Sequence, residues 1–490
     1  MEEHNLLVVS DLHLCEGLDP ATGRFSRLED FLFDAAFARF LRYHQAVRSQ
    51  PRFGDRPWLL VFDGDLFDFL QVVSLPAEGR ELYAVKGVTQ VAQLPGDERK
   101  HGLGTTERES VWKIKRIARG HQPFFAALGR FIAHGNHVAV VKGNHDVELH
   151  WPGVWQRFVL EIKRAYSRER LSLGDGPPVT LQEIRERMHF YPWFYHEPGR
   201  VYVEHGGQYE SSSHFPDLTN PLCPDDPTRI RMPWGNLFLR YLFNQVEDVH
   251  PFADNVKPPV RYLAWALQKD PLMTARLLVT RGWIFVRTFW HVGREISRKQ
   301  RAGQDRPTAS LPLPPQVAGR IGALARRWVT NSWREWLGLA LRGVPSLVVV
   351  AGLLLGVWSL VQGSWWRAGA CLLAAAGAAW LGQALRRNVH TFDDFVLRVG
   401  RDLERILWPD HPVRYVVMGH DHQARIERLE HAWYVNTGTW VQVFEKQGPI
   451  QGRDKLTFFR LSRDHTGAPE LLRWDDAAGA PARLRFGLDE

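Results

Sequence analysis

Val140-Val141-Lys142-Gly143-Asn144-His145-Asp146 is an apolar run that ends on a glycine turn and then presents an amide, an imidazole and a carboxylate in succession. Packing alone asks for none of those three side chains. An Asn can ligate a hard or borderline metal through its amide oxygen, and a His steadied by the following Asp can serve as a proton donor.

Working outward, four further apolar runs end in the same way. Residues 6–10 deliver Asp11 and His13, and residues 60–62 deliver Asp63, Asp65 and Asp68. Residues 201–203 lead through Glu204 to His205, and residues 416–418 lead through Gly419 to His420 and His422. Apolar residues at helical spacing lie between the first runs, over residues 28–48 and 109–133, with a looped insertion at 75–106 marked by Pro76, Gly79, Pro95 and Gly96. Strands alternating with helices indicate an α/β sheet, and ligands at the carboxyl ends of adjacent strands converge on one crevice. Each signal is weak singly, since an isolated His is more often a core or surface group than a ligand; five in one structural context point to a metal site. Asp63 and Asp68 are ligand-type residues too, with capping or loop carboxylates as the alternative.

The blocks Asp11-Leu12-His13, Gly64-Asp65-Leu66-Phe67-Asp68, Gly143-Asn144-His145-Asp146, His205-Gly206 and Gly419-His420-Asp421-His422 resemble, in their order, those of the calcineurin-like metallophosphoesterase superfamily. The resemblance implies a four-layer α/β/β/α sandwich with two divalent metal ions. It places Asp11, His13 and His422 on one metal and Asn144, His205 and His420 on the other, with Asp65 bridging and Asp68 behind the ligands. It makes His145 the proton donor, oriented by Asp146. Two cations about 4 Å apart can clamp a phosphoryl group for in-line displacement. The mixed O and N donors suit Mn, the first expectation, and also Fe, Zn or Co. Ser10-Asp11-Leu12-His13-Leu14 and Asn436-Thr437-Gly438-Thr439-Trp440 are similar to the branch containing UDP-diacylglucosamine pyrophosphatase of lipid A synthesis, which has Arg where this chain has His145.

The chain has 490 residues, a net charge of +8, 20 Trp and only 3 Cys. So few scattered thiols exclude a disulfide framework and fit a reducing compartment. The apolar run at residues 6–9 leaves no room for a cleavable leader before Asp11. Basic charge beside Trp favours a membrane interface over nucleic acid, because the Trp and Arg residues lie next to apolar runs rather than in a polar stretch. Residues 275–301 mix Leu, Trp and Phe with Arg in this way and could lie in the interface, or pack as an ordinary helix with a basic face.

His205 and His420 are separated by 214 residues, far more than two strands of a sandwich need. Residues 343–366 carry no charge, and after Arg367 neither do residues 368–385. Two membrane-spanning helices, at 344–362 and 368–385, are expected, with a buried soluble hairpin as the alternative. The organisation is then a first metallophosphoesterase segment (1–206), a largely helical insertion (207–410), a last catalytic segment (411–463) and a poorly ordered C-terminal tail (464–490). Arg342, Arg386 and Arg387 flank the pair and favour a catalytic domain on the cytoplasmic side of an inner membrane. The expected activity is hydrolysis of a phosphate, pyrophosphate or phosphodiester bond, with a lipid or a soluble phosphorylated compound as substrate. A non-catalytic metal-binding scaffold is the competing class. Lys100, His101, Arg108 and residues 208–214 are further candidates for substrate contact.

Overall fold

Successive side chains of a strand point to opposite faces, so an unbroken apolar run such as Leu6-Leu7-Val8-Val9 needs cover on both sides. Strand β1 (Asn5–Val9) has it: Leu7 and Val9 pack among helices, whereas Leu6 and Val8 pack toward a second sheet. The computed structural model describes residues 4–210, 212–243, 311–327, 349, 352–353, 355–387, 395–441 and 455–484.

Strands β2 (Trp58–Asp63), β3 (His137–Val141) and β4 (Met188–Tyr191) follow β1 in parallel. The crossovers are helices α1 (Asp34–Val47), α2 (Glu107–Gly120), α3 (Gln122–Ala133), α4 (Pro152–Leu173) and α5 (Leu181–Arg187). Parallel pairing requires such connections. The second sheet contains β5 (Phe194–Glu197), β6 (Val201–Glu204), β7 (Tyr415–Met418), β8 (Arg425–Arg428) and β9 (Trp433–Asn436), in the order β8-β9-β7-β6-β5. Val201, Val203, Tyr415, Val417 and Val435 meet the inner face of the first sheet, while Tyr202, Val416, Met418 and Tyr434 face Val399 and Leu403 of a helix at Phe395–Leu407. Helices therefore cover both outer faces of two stacked sheets, the expected four layers.

Several details differ from the sequence reading. The helix expected over 109–133 is two helices that meet at His121, because Pro123 lacks an amide hydrogen and clashes with a preceding turn. Within the expected tail, β11 (Glu470–Asp475) and β12 (Ala480–Arg483) follow β10 (Thr457–Leu461) and extend the first sheet antiparallel from β1, while residues 485–490 lie outside the described residues. Leu472 and Trp474 share one face of β11 and pack into the helix-side core, while Leu471 packs on the opposite face toward the second sheet, a buried pattern that Ala, Gly and Pro concealed.

The expected pair of membrane-spanning helices is also not supported. Among the described residues no helix is long and apolar enough to cross a membrane. The second run lies in a helix at Trp365–Arg387 whose middle is mostly Ala and Gly, residues of modest hydropathy. Residues 344–348, 350–351 and 354 of the first run and the interfacial segment 275–301 lie outside the described residues.

Candidate dinuclear metal centre

Five neighbouring strands stop at one end of the sandwich, and the chain turns sharply after each. Asp11, His13, Asp65, His420 and His422 all adopt positive φ, between 50° and 71°. Non-glycine residues rarely do so, and such strain gathers at functional sites. Glycines let the turns come together. Gly64 has φ 76°, and a Cβ there would run into the His205 ring; one on Gly143 would run into the Asp65 carboxylate.

The turns bring the candidate ligands into two clusters. Asp11, His13 and His422 form one, with Asp11 Oδ1 3.2 Å from His422 Nε2 and 3.9 Å from His13 Nε2. Asp65, His205 and His420 form the other, with Asp65 Oδ2 3.0 Å from His205 Nε2 and the Asn144 Oδ1 atom 3.2 Å from that same nitrogen. Asp65 also lies 3.9 Å from His13 and shares a third grouping with His13 and His145, so it sits between the two clusters. His205 Nδ1 donates to the Asp63 carbonyl at 2.9 Å, which leaves Nε2 turned to the cluster. The stretch after β9 buttresses the first turn: Thr439 Oγ1 and the Trp440 amide both donate to the Asp11 carbonyl.

Charge explains what this pocket is built to hold. Burial disfavours the anions of Asp11 and Asp65, yet His422 beside Asp11 and His205 beside Asp65 hold both carboxyls well below the usual range. Burial likewise opposes a charged His205, but Asp65 and Asp11 lift it to about 10. Buried carboxylates thus remain ionised only with positive charge drawn against them. Asp11 Oδ1 and His13 Nε2 are buried without a hydrogen bond of good geometry. Carboxylate oxygens, imidazole nitrogens and an amide oxygen facing one another suit divalent cations. By contrast, burial raises Asp63 well above the carboxylate range and both its carboxyl oxygens lack partners, so it stands outside both clusters.

His145 lies at the rim, its side chain 18% exposed, with its amide donating to Asp65 Oδ1 at 2.8 Å. Its orienting carboxylate is not the expected Asp146. Asp68 Oδ2 lies 2.6 Å from His145 Nδ1, which leaves Nε2 as the ring nitrogen not held by that carboxylate. Asp146 instead accepts from the Gly143 amide at 2.7 Å and the Leu66 amide at 2.9 Å. A residue adjacent in sequence on a tight turn points away, while one from the next strand end lies opposite. Asp146 therefore pins the turn of β3 against that of β2.

The profile of the calcineurin-like phosphoesterase family matches residues 4–272, more than half of the chain. The chain belongs to the calcineurin-like phosphoesterase family. No curated protein and no solved structure matches it. Family and clusters together make it a metal-dependent phosphoric ester hydrolase.

Two contributors to this phosphoesterase site were missed in the sequence. Asn236, in a short helix at Trp234–Phe238, donates to the Asn144 carbonyl at 2.7 Å, and Glu210 lies 2.6 Å from His420 Nε2. Glu210 falls inside the segment 208–214 considered for substrate contact, but nothing in its spacing separates it from its neighbours. Of the other candidates, His101 is buried against Tyr241, and Gln208 is buried and bonded to Phe215.

Proposed function

We propose that this chain is a dinuclear phosphoesterase in which Asp11, His13 and His422 hold one divalent cation, Asn144, His205 and His420 hold the other, and Asp65 serves both. The observation that carries the reading is the position of Asp65 between two separate ligand clusters. When bound, the cations supply the electrophilic clamp on a phosphoryl group. The protein's own part is to keep the buried ligands out of bulk solvent while admitting the one water whose oxygen bonds phosphorus as the ester bond breaks, and to deliver a proton to the departing oxygen. His145 Nε2 protonates the departing oxygen while Asp68 holds the ring and stabilises its charged form. Mn is the proposed metal. The test is phosphate release from an aryl phosphate, a bis-aryl phosphate and a pyrophosphate diester, with and without a chelator. Turnover of at least one that is lost on chelation and restored by Mn supports the reading; chelator-insensitive turnover of all three contradicts it.

A second observation favours a membrane-attached enzyme with a lipid phosphate, pyrophosphate or phosphodiester as substrate. Trp358, Val361, Trp365, Trp366, Leu373 and Trp380 are all well exposed on the helical hairpin within residues 355–387. Apolar patches of this kind mark interaction surfaces, and Trp beside Arg367 fits the headgroup region. In this reading the hairpin attaches the enzyme to the cytoplasmic face of a membrane without needing to span it. Hydrolysis of lipid phosphates in mixed micelles well above the rate for aryl phosphates is expected; equal rates would leave soluble substrates as the better account.

A further inference from the structure

The turn that follows His205 runs back toward the other imidazole of the same cluster. Val201–Glu204 ends at His205; Gly206 then takes φ 103°, and one tight turn at Gly207–Tyr209 leads to Glu210. This turn is anchored from below. Tyr209 donates its hydroxyl to Glu204 at 2.9 Å, and Glu204 also receives Tyr202 and Trp193 at 2.5 Å each. The carboxylate that closes the turn, Glu210, has its Oε2 2.6 Å from His420 Nε2, with side chains only 12% and 3% exposed. His420 is held from the backbone side as well, its amide donating to Asp11 Oδ2 at 3.0 Å.

We infer that Glu210 is a positioning residue for the second metal: by accepting the Nε2 proton of His420 it fixes the imidazole tautomer and leaves Nδ1 as the nitrogen offered beside Asp65 and His205. A ligating imidazole characteristically gives its other N–H to a carboxylate or carbonyl, which sets the ring's orientation and strengthens it as a donor. His205 satisfies this with the Asp63 carbonyl. His420 does so with Glu210, so the two imidazoles of one cluster are set by different kinds of acceptor, and only His420 is set by a charged one. Glu210 lies outside all five motif blocks, which makes this support a feature of this chain's own loop. The inference rests on the proposal that Asp65, His205 and His420 share a cation.

The test is calorimetric titration of Mn into the metal-free full chain and its E210A and E210Q variants. The expected result is two binding events in the wild type, one of which weakens by about 10–100-fold in E210A while the other is unchanged. E210Q should fall between the two, because its amide oxygen still accepts the N–H but without the charge that roughly doubles such a bond. Unchanged affinity in E210A overturns the inference. So does an E210Q as deficient as E210A, which would make Glu210 itself a ligand. If E210A does not fold, E210Q decides alone: a several-fold loss at one site supports the inference, and no loss or complete loss of that site refutes it. The readout is independent of turnover. A chain that binds two Mn as described but hydrolyses no ester would remove the proposed function and leave the role of Glu210 standing.

Discussion

The sandwich and the hairpin within residues 355–387 both carry uncharged runs of sequence yet resolve them in opposite ways. Leu6, Leu7, Val8 and Val9 are fully buried, whereas Val361, Trp365 and Leu373 are each 76% or 77% exposed. Strands of stacked sheets have cover on both faces; a two-helix hairpin has only its partner, and the rest of each helix faces outward. Glycine shows the same contrast. At Gly143 the missing side chain admits the Asp65 carboxylate, a polar approach that serves chemistry, while at Gly352 it admits the backbone of Cys371 and the methyl of Ala375, an approach that serves helix packing. Apolar content therefore reports where surface must be covered. Only the pattern of ligands reports what the covered surface is for.

If that division holds, the largest effects must come from the strand ends. Asp65→Asn removes the anion shared by both clusters and should lower kcat/KM by about a thousand-fold or more, beyond the 10–100-fold typical of a lost supporting partner, with loss of bound metal by elemental analysis. Next in size, His145→Ala should keep its metal and lower kcat by roughly 10²–10⁴-fold on an ester with a poor leaving group. Asp68→Asn should reproduce part of that loss. Wild-type kcat in His145→Ala on such an ester would remove the proton-donor role.

Away from the site, the sandwich contains a buried charge cluster whose effect is on stability. His121 lies 3.2 Å from Glu29 and 3.1 Å from Asp34, and Glu29 also accepts the amides of Cys15 and Gly17, just beyond His13. Burial opposes the His121 cation, but Glu29 and Asp34 raise it to about 10. Because this lies above the unfolded value of about 6.5, the stabilisation is complete below about pH 6.5 and is lost as pH rises through 10. Urea midpoints should therefore fall between pH 7 and 10. His121→Gln should cost about 3–5 kcal/mol at pH 6, as for other broken buried pairs, and flatten that fall.

The smallest effect on the fold belongs to the hairpin. Leu373→Gln with Trp380→Gln should change stability by no more than about 0.5 kcal/mol per site and leave turnover of an aryl phosphate intact, since both side chains are exposed. Binding to anionic vesicles by flotation should drop. A large loss of stability would show that the hairpin's outer face is structural and erase the contrast with the sandwich.

The strand ends were legible in the sequence because each ligand follows an apolar run within a few residues, so local pattern and site coincide at Asp11, His13, Asp65, Asn144, His205, His420 and His422. What was not legible depends on direction across a turn or on distance along the chain. Asp146 is next to His145 in sequence, yet its carboxylate serves two amides, while Asp68, 77 residues earlier, holds the ring. Glu210 and Asn236 reach the site from the insertion, where no periodic pattern marks them. The strands at 470–483 were hidden by small residues and Pro, and only pairing with Thr457–Leu461 shows where their buried face belongs.

The central claim is that one carboxylate joins two metals. Electron paramagnetic resonance of the full chain loaded with Mn tests it most directly, because two ions sharing a bridge are exchange-coupled and isolated ions are not. Two bound equivalents with a coupled signal in the wild type, lost in Asp65→Asn, are the expected result. A single equivalent, or two that give only the uncoupled six-line signal, would contradict it.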